Sequence, residues 1–558
     1  MRETRLNPIP NDSKEPNSEL PSLFWTPLVI IAAVAFAVEI PFFFKGTPSG
    51  HDVEFHLYSW LEVVAQWKHG VFYPRWAALA HFGYGEPRFI FYPPASWMLG
   101  AAITRIFPWS IATPVYIWIA LALAGASMFA LARRWLTRRD AIFAAALYAA
   151  NPYHLVIVYW RSAFAELLAA CLLPMLVLLV LRVADARWRE LPSLALLLGA
   201  AWLINAPAAV MIHYSLGLLL VLVAWRRRAW SVLWEGAAAV LLGATLASFY
   251  LVPAIYEQRW AEIAQSVSAG SRPQDNFLFI HTTDPDHDAF NRVVSWLALS
   301  EMVIVFVAAW LSRRWRERLG DAWDALLAWA AACGVLLFPI TAWLWDILPK
   351  MKYMQFPWRW LLCLSMVMSL LVTLAFRRWG LRLASCALML VVVILAWNRI
   401  QAPWWDNTGD LREMQDNMET GAGYEGTDEY TPLGADPSAI DKDARRVTIE
   451  GPAHGAIRVL DWTPESKSFT AEMSAADQVK LRLFAYPAWR VDVNGRNVDT
   501  GQGPNGQILV PVEAGMNRVR LTFMRTWDRT LGGWLSCAAL VFLVFWVVRN
   551  RAPAASRS

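Results

Sequence analysis

Twelve stretches of the chain are apolar over about the length at which a helix crosses the hydrocarbon of a bilayer, roughly 20 residues. They cover 23–44, 112–132, 141–158, 164–183, 191–206, 208–225, 231–252, 296–312, 323–347, 358–376, 380–398 and 530–548. Short basic clusters punctuate them: RRWLTRR (133–139), RVADARWR (182–189), RRR (226–228), RRWRER (313–318), RRWGLR (377–382) and RNR (549–551). Arginine-rich loops favour the cytoplasmic side. With the N-terminus inside, twelve spans put every cluster on that side. The apolar segment PPASWMLGAAITRIF (93–107) breaks the count, because a thirteenth span there would place the 133–139 arginines outside. Its shortness predicts an interfacial or re-entrant helix on the outer side.

The period changes from about residue 445. QVKLRLF alternates Val479, Leu481 and Leu483 with Lys480 and Arg482, and RVRLTFM alternates Val519, Leu521 and Phe523 with Arg518, Arg520 and Thr522. Period two marks half-buried strands. Asn494-Gly495 is a hairpin signal, since a type I′ turn needs positive φ at both central residues. About seven strands with Gly and Asn turns predict a small antiparallel sandwich. The expected fold class is therefore an α-helical polytopic membrane protein of about twelve spans with a small extracytoplasmic β-sandwich. Its parts are a disordered cytoplasmic tail (1–22), a transmembrane domain (23–398) with an outer loop at 45–111, the sandwich domain (399–528), and a last span with a cytoplasmic tail (529–558).

Composition agrees with a membrane protein. Of 558 residues 57% are apolar, against roughly 45–50% in soluble domains. The mean hydropathy is +0.34, and the 33 tryptophans suit the headgroup region. The first apolar run exceeds the roughly 7–15 residues of a signal-peptide core, so it reads as an uncleaved span. The net charge of +5 is spread over the loop clusters, which gives no face for nucleic acid. Cys171, Cys333, Cys363, Cys386 and Cys537 all fall in apolar runs without CxxC spacing, so disulfides and thiolate metal sites are not expected.

This topology gathers the unusual polar chemistry on the outer face: GHDVEFHLYSW (50–60), VFYPRWAALAHFGYGEPRFIFYPP (71–94), NPYHLVIVYWRSAFAE (151–166), INAPAAVMIHY (204–214), the loop 253–295 and KYMQFPWRW (352–360). On a helix over 52–69, Asp52, His56 and Ser59 share one face, beside a stripe of Leu57, Trp60, Leu61 and Val64. Glu54 points roughly opposite Asp52. Asp52 reads either as the N-cap of this helix or as a general base toward a hydroxyl; a metal site from His51, Asp52 and His56 lacks standard ligand spacing. Arg161 and Glu166 stand at a span boundary, where charges are costly unless paired. Arg359, at the outer start of a span, suits a phosphate contact or snorkelling. Glu39 belongs either to the same cavity or to its mouth.

These motifs, GHDVEFHLYSW, YPRW, GYGEPRFIFYPP, YWRSAFAE and MQFPWRW, resemble the bacterial membrane proteins called 6-pyruvoyl-tetrahydropterin synthase-related. That family is close to the YfhO-like proteins, within the wider GT-C glycosyltransferase class. The likeness runs from about 24 to 398, and FAYPAWRVDVNGRNV resembles the YfhO-like sandwich. The pterin enzyme of that name is a small soluble protein with a three-histidine zinc site, a pattern absent here. The resemblance implies an integral membrane glycosyltransferase that moves a sugar from a polyprenyl-phosphate donor to a glycan, lipid or protein acceptor. It implies Asp52 as catalytic acid of the first outer loop, Glu166 as a second, and Arg161 and Arg359 at the lipid phosphate; Glu54, His56, Arg75 and Tyr92 complete the substrate-binding set. No metal ligand is assigned. Asp52 lies in HDVE rather than a paired-acid motif, which leaves a divalent metal open. Membrane lipids are expected partners, nucleic acid is not, and the expected location is the inner (cytoplasmic) membrane with the active face outside. A second reading is a non-catalytic transporter or binding protein for lipid-linked sugars.

Overall fold

In the computed structural model residues 21–400 and 405–551 are described, so residues 1–20 of the tail expected over 1–22, and residues 401–404 and 552–558, lie outside the described residues. Among those described, nine helices are long and apolar enough to cross a membrane, or eleven spans if each of two bent pairs counts as one. The nine are Trp25–Lys45, Trp109–Ala132, Arg138–Arg161, Phe164–Asp185, Ala206–Arg227, Pro285–Leu319, Pro357–Ala375, Trp379–Ala396 and Trp527–Arg549. The expected spans 231–252 and 323–347 are bent pairs: Ser231–Leu246 with Ser248–Trp260 turns by 77°, and Asp321–Val335 with Pro339–Ile347 by 95°. The remaining expected span, 191–206, is the 14-residue helix Leu191–Ile204. At 1.5 Å per residue it is about 21 Å long, short of the hydrocarbon. It lies tightly on Ser231–Leu246, where Gly199 and Gly243 meet: a Cβ on Gly243 would stand 2.8 Å from the Ala195 carbonyl oxygen. Small residues let helix backbones approach in this way.

The segment 93–107 forms a 13-residue helix, Pro94–Ile106, outside the membrane-spanning set. It packs on the helix Val53–Lys68, with Gly100 under the Trp60 indole. Val53–Lys68 is amphipathic, and its stripe faces protein: Leu57 and Trp60 are buried, and Trp60 stacks on Tyr116. Its other side is covered too, because Glu62 and Gln66 are fully buried.

The basic loops meet at one end of the bundle. Arg134 and Arg227 share Asp185, Arg227 also pairs with Asp321, Arg226 and Arg316 pair with Asp324, and Arg382 reaches Asp140. These largely exposed pairs contribute little stability each, yet they register loops from five parts of the chain on the same end.

At the other end, β1 (Thr47–Pro48) pairs antiparallel with β2 (Trp405–Asp406), joining the exit of the first span to the start of the C-terminal region. Gly46, with φ of 101°, passes so close to the Asp406 carbonyl that a Cβ would sit 2.3 Å from its oxygen. Residues 405–430 lie on the bundle: helix Thr408–Thr420 packs on Val53–Lys68, and the Trp109 indole donates to the Leu411 carbonyl at 2.8 Å. The sandwich proper follows, with β3 (Val447–Ile449), β4 (Gly455–Trp462), β5 (Ser466–Met473), β6 (Asp477–Phe484), β7 (Trp489–Val493), β8 (Arg496–Asn497), β9 (Gly501–Gln502), β10 (Gln507–Val512) and β11 (Gly515–Phe523). Their sheets run β3-β6-β10-β9 and β4-β5-β11-β7-β8. Val479, Leu481, Leu483, Val519, Leu521 and Phe523 all face the core. Asn494 and Gly495 have φ of 52° and 79°, as the β7–β8 hairpin requires.

Gly243→Val should overpack the contact with Leu191–Ile204, at about 1–3 kcal/mol. A lowered unfolding temperature in detergent checks this; an unchanged one would show that the two helices have room to part.

Candidate active site

The span Arg138–Arg161 ends in a π-helical turn, Ile157–Arg161, followed by Ser162 in the left-handed region with φ of 49°. Such a break frees carbonyls that an intact helix would use. The outer-loop motif GHDVEFHLYSW (50–60) satisfies them. His51 N–H donates to the Trp160 carbonyl at 3.3 Å and Asp52 N–H to the Arg161 carbonyl at 2.9 Å. The Ser162 hydroxyl accepts from Gly50 N–H and donates to the Pro48 carbonyl, each at 3.0 Å. Gly50 must be glycine here, because a Cβ would lie 2.5 Å from the Trp160 oxygen. The result fixes Asp52 beside Arg161.

Asp52 occupies the N-cap position of Val53–Lys68, yet its side chain makes no capping bond. Its carboxylate is 44% exposed and stands 4.0 Å from Arg161 Nη2. Behind it lies a buried ion cluster. Glu166 accepts from Arg161 Nη1 at 2.5 Å, Arg359 Nε at 3.1 Å and the Tyr153 hydroxyl at 2.7 Å. Arg161 lies over the Trp358 ring, 4.6 Å from its centroid, and Arg359 over Phe356 at 4.8 Å. Arg359 Nη1 donates to the Met354 carbonyl, and among the described residues its Nη2 has no partner.

A cavity of about 640 Å³ opens in front of this cluster. Asp52, His56, Tyr92, Glu166 and Arg359 line it, together with Asn205, Gln258, Gln355 and the segment 425–430. The outer-loop motifs singled out in the sequence thus contribute to one wall or another. Arg161 sits directly behind, bound to Glu166. Two expected substrate-binding residues stand elsewhere. Glu54 is exposed and off the cavity, since residues two apart on a helix do not face each other. Arg75 stacks on Tyr73, 4.3 Å from the ring centroid, away from the cavity. Glu39 is buried and also off the cavity.

Sequence reasoning missed a second buried cluster that holds the 425–430 wall. Arg88 Nε donates to Glu86 at 2.5 Å, Nη1 to the Ser59 hydroxyl at 3.1 Å and Nη2 to the Thr427 hydroxyl at 3.0 Å. Glu86 also accepts from Thr427 N–H at 2.8 Å and lies 2.9 Å from His81 Nε2. Burial alone would raise the Glu86 carboxyl, but Arg88 and His81 outweigh it and hold it at about 2. The available signal was the acid and arginine flanking Pro87 in GYGEPRF; nothing local points to Thr427. On the same wall, burial pushes the Glu429 carboxyl up to about 7. Burial also lowers the His56 imidazole to about 4, so that it is neutral at pH 7.

Among the described residues no three His, Cys, Asp or Glu side chains come together as metal ligands. Glu166 is occupied by its own partners, and no two further carboxylates or imidazoles stand close enough to Asp52 to complete a ligand set, so the side chains as placed do not fit a divalent ion.

The architecture defines a multi-pass membrane protein whose polar cavity lies at one end of the helix bundle, beneath a region that carries two small sheets. Its family is clear: residues 89–402 match the family described as "6-pyruvoyl-tetrahydropterin synthase related domain; membrane protein", which is more than half the chain, and the protein belongs to it. No curated protein matches. Among solved structures the chain is similar to the oligosaccharyltransferase of Archaeoglobus fulgidus in its apo form, at 14% identity and a TM-score of 0.42, over 73% of this chain and 57% of that one. The complex of that enzyme with Zn and sulfate aligns at 15% identity and 0.38, over 68% and 54%. The archaeal oligosaccharyltransferase AglB from the same organism, with an inhibitory peptide and a dolichol-phosphate, aligns at 13% and 0.38, over 73% and 57%. The chain thus spans little more than half the length of these proteins.

Two outcomes follow for stability. Asp52→Ala should change it by no more than about 0.5 kcal/mol, where loss of a true cap would cost about 1 kcal/mol. Glu166→Gln should cost about 3–5 kcal/mol, because it leaves buried arginines uncompensated. Chemical denaturation in detergent compares the two. His56 adds a pH dependence: its contribution is complete above the ordinary 6.5 and is lost as pH falls toward about 4, because the unfolded chain takes up the proton first. His56→Gln should flatten that part of the stability profile; an unaltered profile would remove His56 from this role.

Proposed function

We propose that this protein is a glycosyltransferase of the GT-C type, which moves a sugar from a polyprenyl-phosphate donor to an envelope acceptor on the outer side of the inner membrane. One observation carries the reading. An uncapped, half-exposed carboxylate, Asp52, shares a polar cavity at the end of the membrane bundle with Arg359, whose Nη2 has no hydrogen-bond partner among the described residues.

In this reading Asp52 accepts the proton of the acceptor hydroxyl as its oxygen attacks the anomeric carbon. The bond between that carbon and the phosphate oxygen breaks, and the electron pair leaves with the lipid phosphate. Arg359 balances the negative charge growing on the leaving group, a fixed donor aimed where charge develops. Arg161 serves as a positioning residue: it sets Asp52 and is itself held by Glu166. Glu166, expected as a second catalytic acid, takes the role of counter-ion, because three donors occupy its carboxylate. His56 and Tyr92 form a neutral aromatic side of the cavity, with ring centroids 5.9 Å apart. No step is routed through a metal.

The sidedness has its own support. Helices Phe164–Asp185 and Ala206–Arg227 begin at the cavity and end in the loops tied together by the arginine pairs. The positive-inside preference then supports a cavity on the outer side. In a cysteine-free background, Glu54→Cys should react with a membrane-impermeant maleimide added to intact cells, and Arg316→Cys only after permeabilisation. The reverse pattern would invert the topology.

For activity, purified protein in nanodiscs, supplied with a cell-envelope extract as the source of acceptor hydroxyls, should release free polyprenyl phosphate from one of a panel of radiolabelled lipid-phosphate sugars. Asp52→Asn should lower the rate about 10²–10⁴-fold, the range of a lost general base. A chelator arm reads metal dependence separately. Full activity in Asp52→Asn would remove that residue from the chemistry, and tight lipid-sugar binding without turnover would make the protein a binder.

A further inference from the structure

A second cavity, about 720 Å³, lies where the sandwich meets the bundle, a volume within the range of small-molecule sites. Its floor is aromatic. Tyr486 and Trp489 are nearly buried, and the half-buried Trp260, from the turn that ends a bent helix pair, stands edge-on to Tyr486 with centroids 5.6 Å apart. The Tyr486 hydroxyl donates to Glu257 at 2.6 Å, which fixes that ring against the bundle. The rim is polar and exposed: Asn497, Asp499, Thr500 and Gln502.

The chemistry of this groove selects among ligands. Arg490 is its single basic group, and Asp492 engages its guanidinium at 3.1 Å, while Asp499 adds a carboxylate to the rim. The lining therefore carries no excess positive charge with which to hold a phosphate or another anion. The strands at the rim are edge strands of the two sheets, β8 and β9, each two residues long. Edges so short offer too few main-chain bonds to add a peptide strand. A polyhydroxylated ring fits both parts. Its apolar C–H face matches an aromatic floor, and its hydroxyl edge matches Asn497 and Thr500, which both donate and accept, and Asp499, which accepts.

The groove also adjoins the candidate active site. Ala261 bridges to Pro432, Glu262 N–H donates to the Thr431 carbonyl at 2.9 Å, and Leu433 N–H to the Trp260 carbonyl at 3.0 Å. Trp260 and Leu433 line the groove, whereas Gln258, Ile263 and Tyr430 line the cavity that holds Asp52. One short antiparallel seam is thus the shared wall between the two sites.

We propose that this groove binds the saccharide chain of the acceptor, which makes the acceptor a glycan and delivers its terminal hydroxyl across the seam to Asp52. The inference rests on the transferase reading, but the groove's occupancy is measured without catalysis. Full-length protein in nanodiscs is exposed to an array of neutral and acidic oligosaccharides, and any hit is titrated up to 10 mM (roughly the weakest affinity that still positions a ligand at about millimolar Kd). The expected result is binding of a neutral saccharide in preference to acidic ones, weakened at least tenfold by Trp260→Ala and by the surface change Asp499→Ala. Because Trp260 is part of the seam, Asp499→Ala with Asn497→Ala, both on the exposed rim, keeps the test decisive if Trp260→Ala fails to fold.

Absence of saccharide binding, binding indifferent to these substitutions, or capture of peptides in their place would each overturn the groove's assignment. Asp52-dependent release of lipid phosphate would leave the transferase reading standing in all three cases. Saccharide binding that depends on Asp499, in a protein without turnover, would instead keep the groove and remove the enzyme.

Discussion

The candidate site depends on one buried electrostatic arrangement: Glu166 held between Arg161 and Arg359. Two arginines inside a helix bundle cost far more than their mutual contacts return unless a carboxylate neutralises them. Glu166 pairs with both, which leaves one net positive charge facing the cavity side, and Tyr153 takes up its other oxygen. The consequence is geometric. Arg161 comes from the end of one span and Arg359 from the start of another, and the shared acid locks these ends together. Asp52 is then held at the rim of the pair by backbone bonds to the same break that carries Arg161. Its carboxylate is left without a structural partner except the distant edge of that guanidinium.

A second constraint acts on the opposite wall. The 425–430 segment would be a mobile loop if it were held only by its neighbours in sequence. Glu86 and Arg88 take its Thr427 backbone and side chain into a buried network, while β1–β2 and the 261–432 bridge tie the flanking chain to the bundle. Such networks hold a wall in place only when every member is satisfied. The cavity therefore has one wall set by membrane helices and another set by chain that arrives from the C-terminal region. A substrate between them contacts both, and the sandwich follows the second wall directly.

Much of this was legible in the sequence because it follows from periodicity. The long apolar runs gave spans, period-two runs gave strands, and Asn494-Gly495 gave a hairpin. The exceptions have physical causes. Leu191–Ile204 is as apolar as a span but too short, and the approach of Gly199 to Gly243 that accommodates it is a tertiary fact. The motif residues Asp52, Arg161, Glu166 and Arg359 are charges at membrane boundaries, where cost singles them out. Local pattern could not separate them from Glu54 and Arg75, since it does not say on which side of a helix or loop a cavity will form. The Glu86–Thr427 bond spans 341 residues of chain, and no spacing rule reaches that far. Local sequence favoured Asp52 as a cap, and the family resemblance alone pointed to a base; in the structure its side chain makes no capping bond.

The central claim is that the Arg161–Glu166–Arg359 cluster presents Asp52 and Arg359 to a lipid-phosphate sugar. Its most direct test is a cryo-electron-microscopy structure of the Asp52→Asn protein in nanodiscs with a polyprenyl-phosphate sugar. The account predicts the phosphate in the cavity against Arg359, with the anomeric carbon turned toward position 52. A headgroup bound at the arginine-rich end of the bundle, or seated in the cavity with its sugar turned away from position 52, would contradict it.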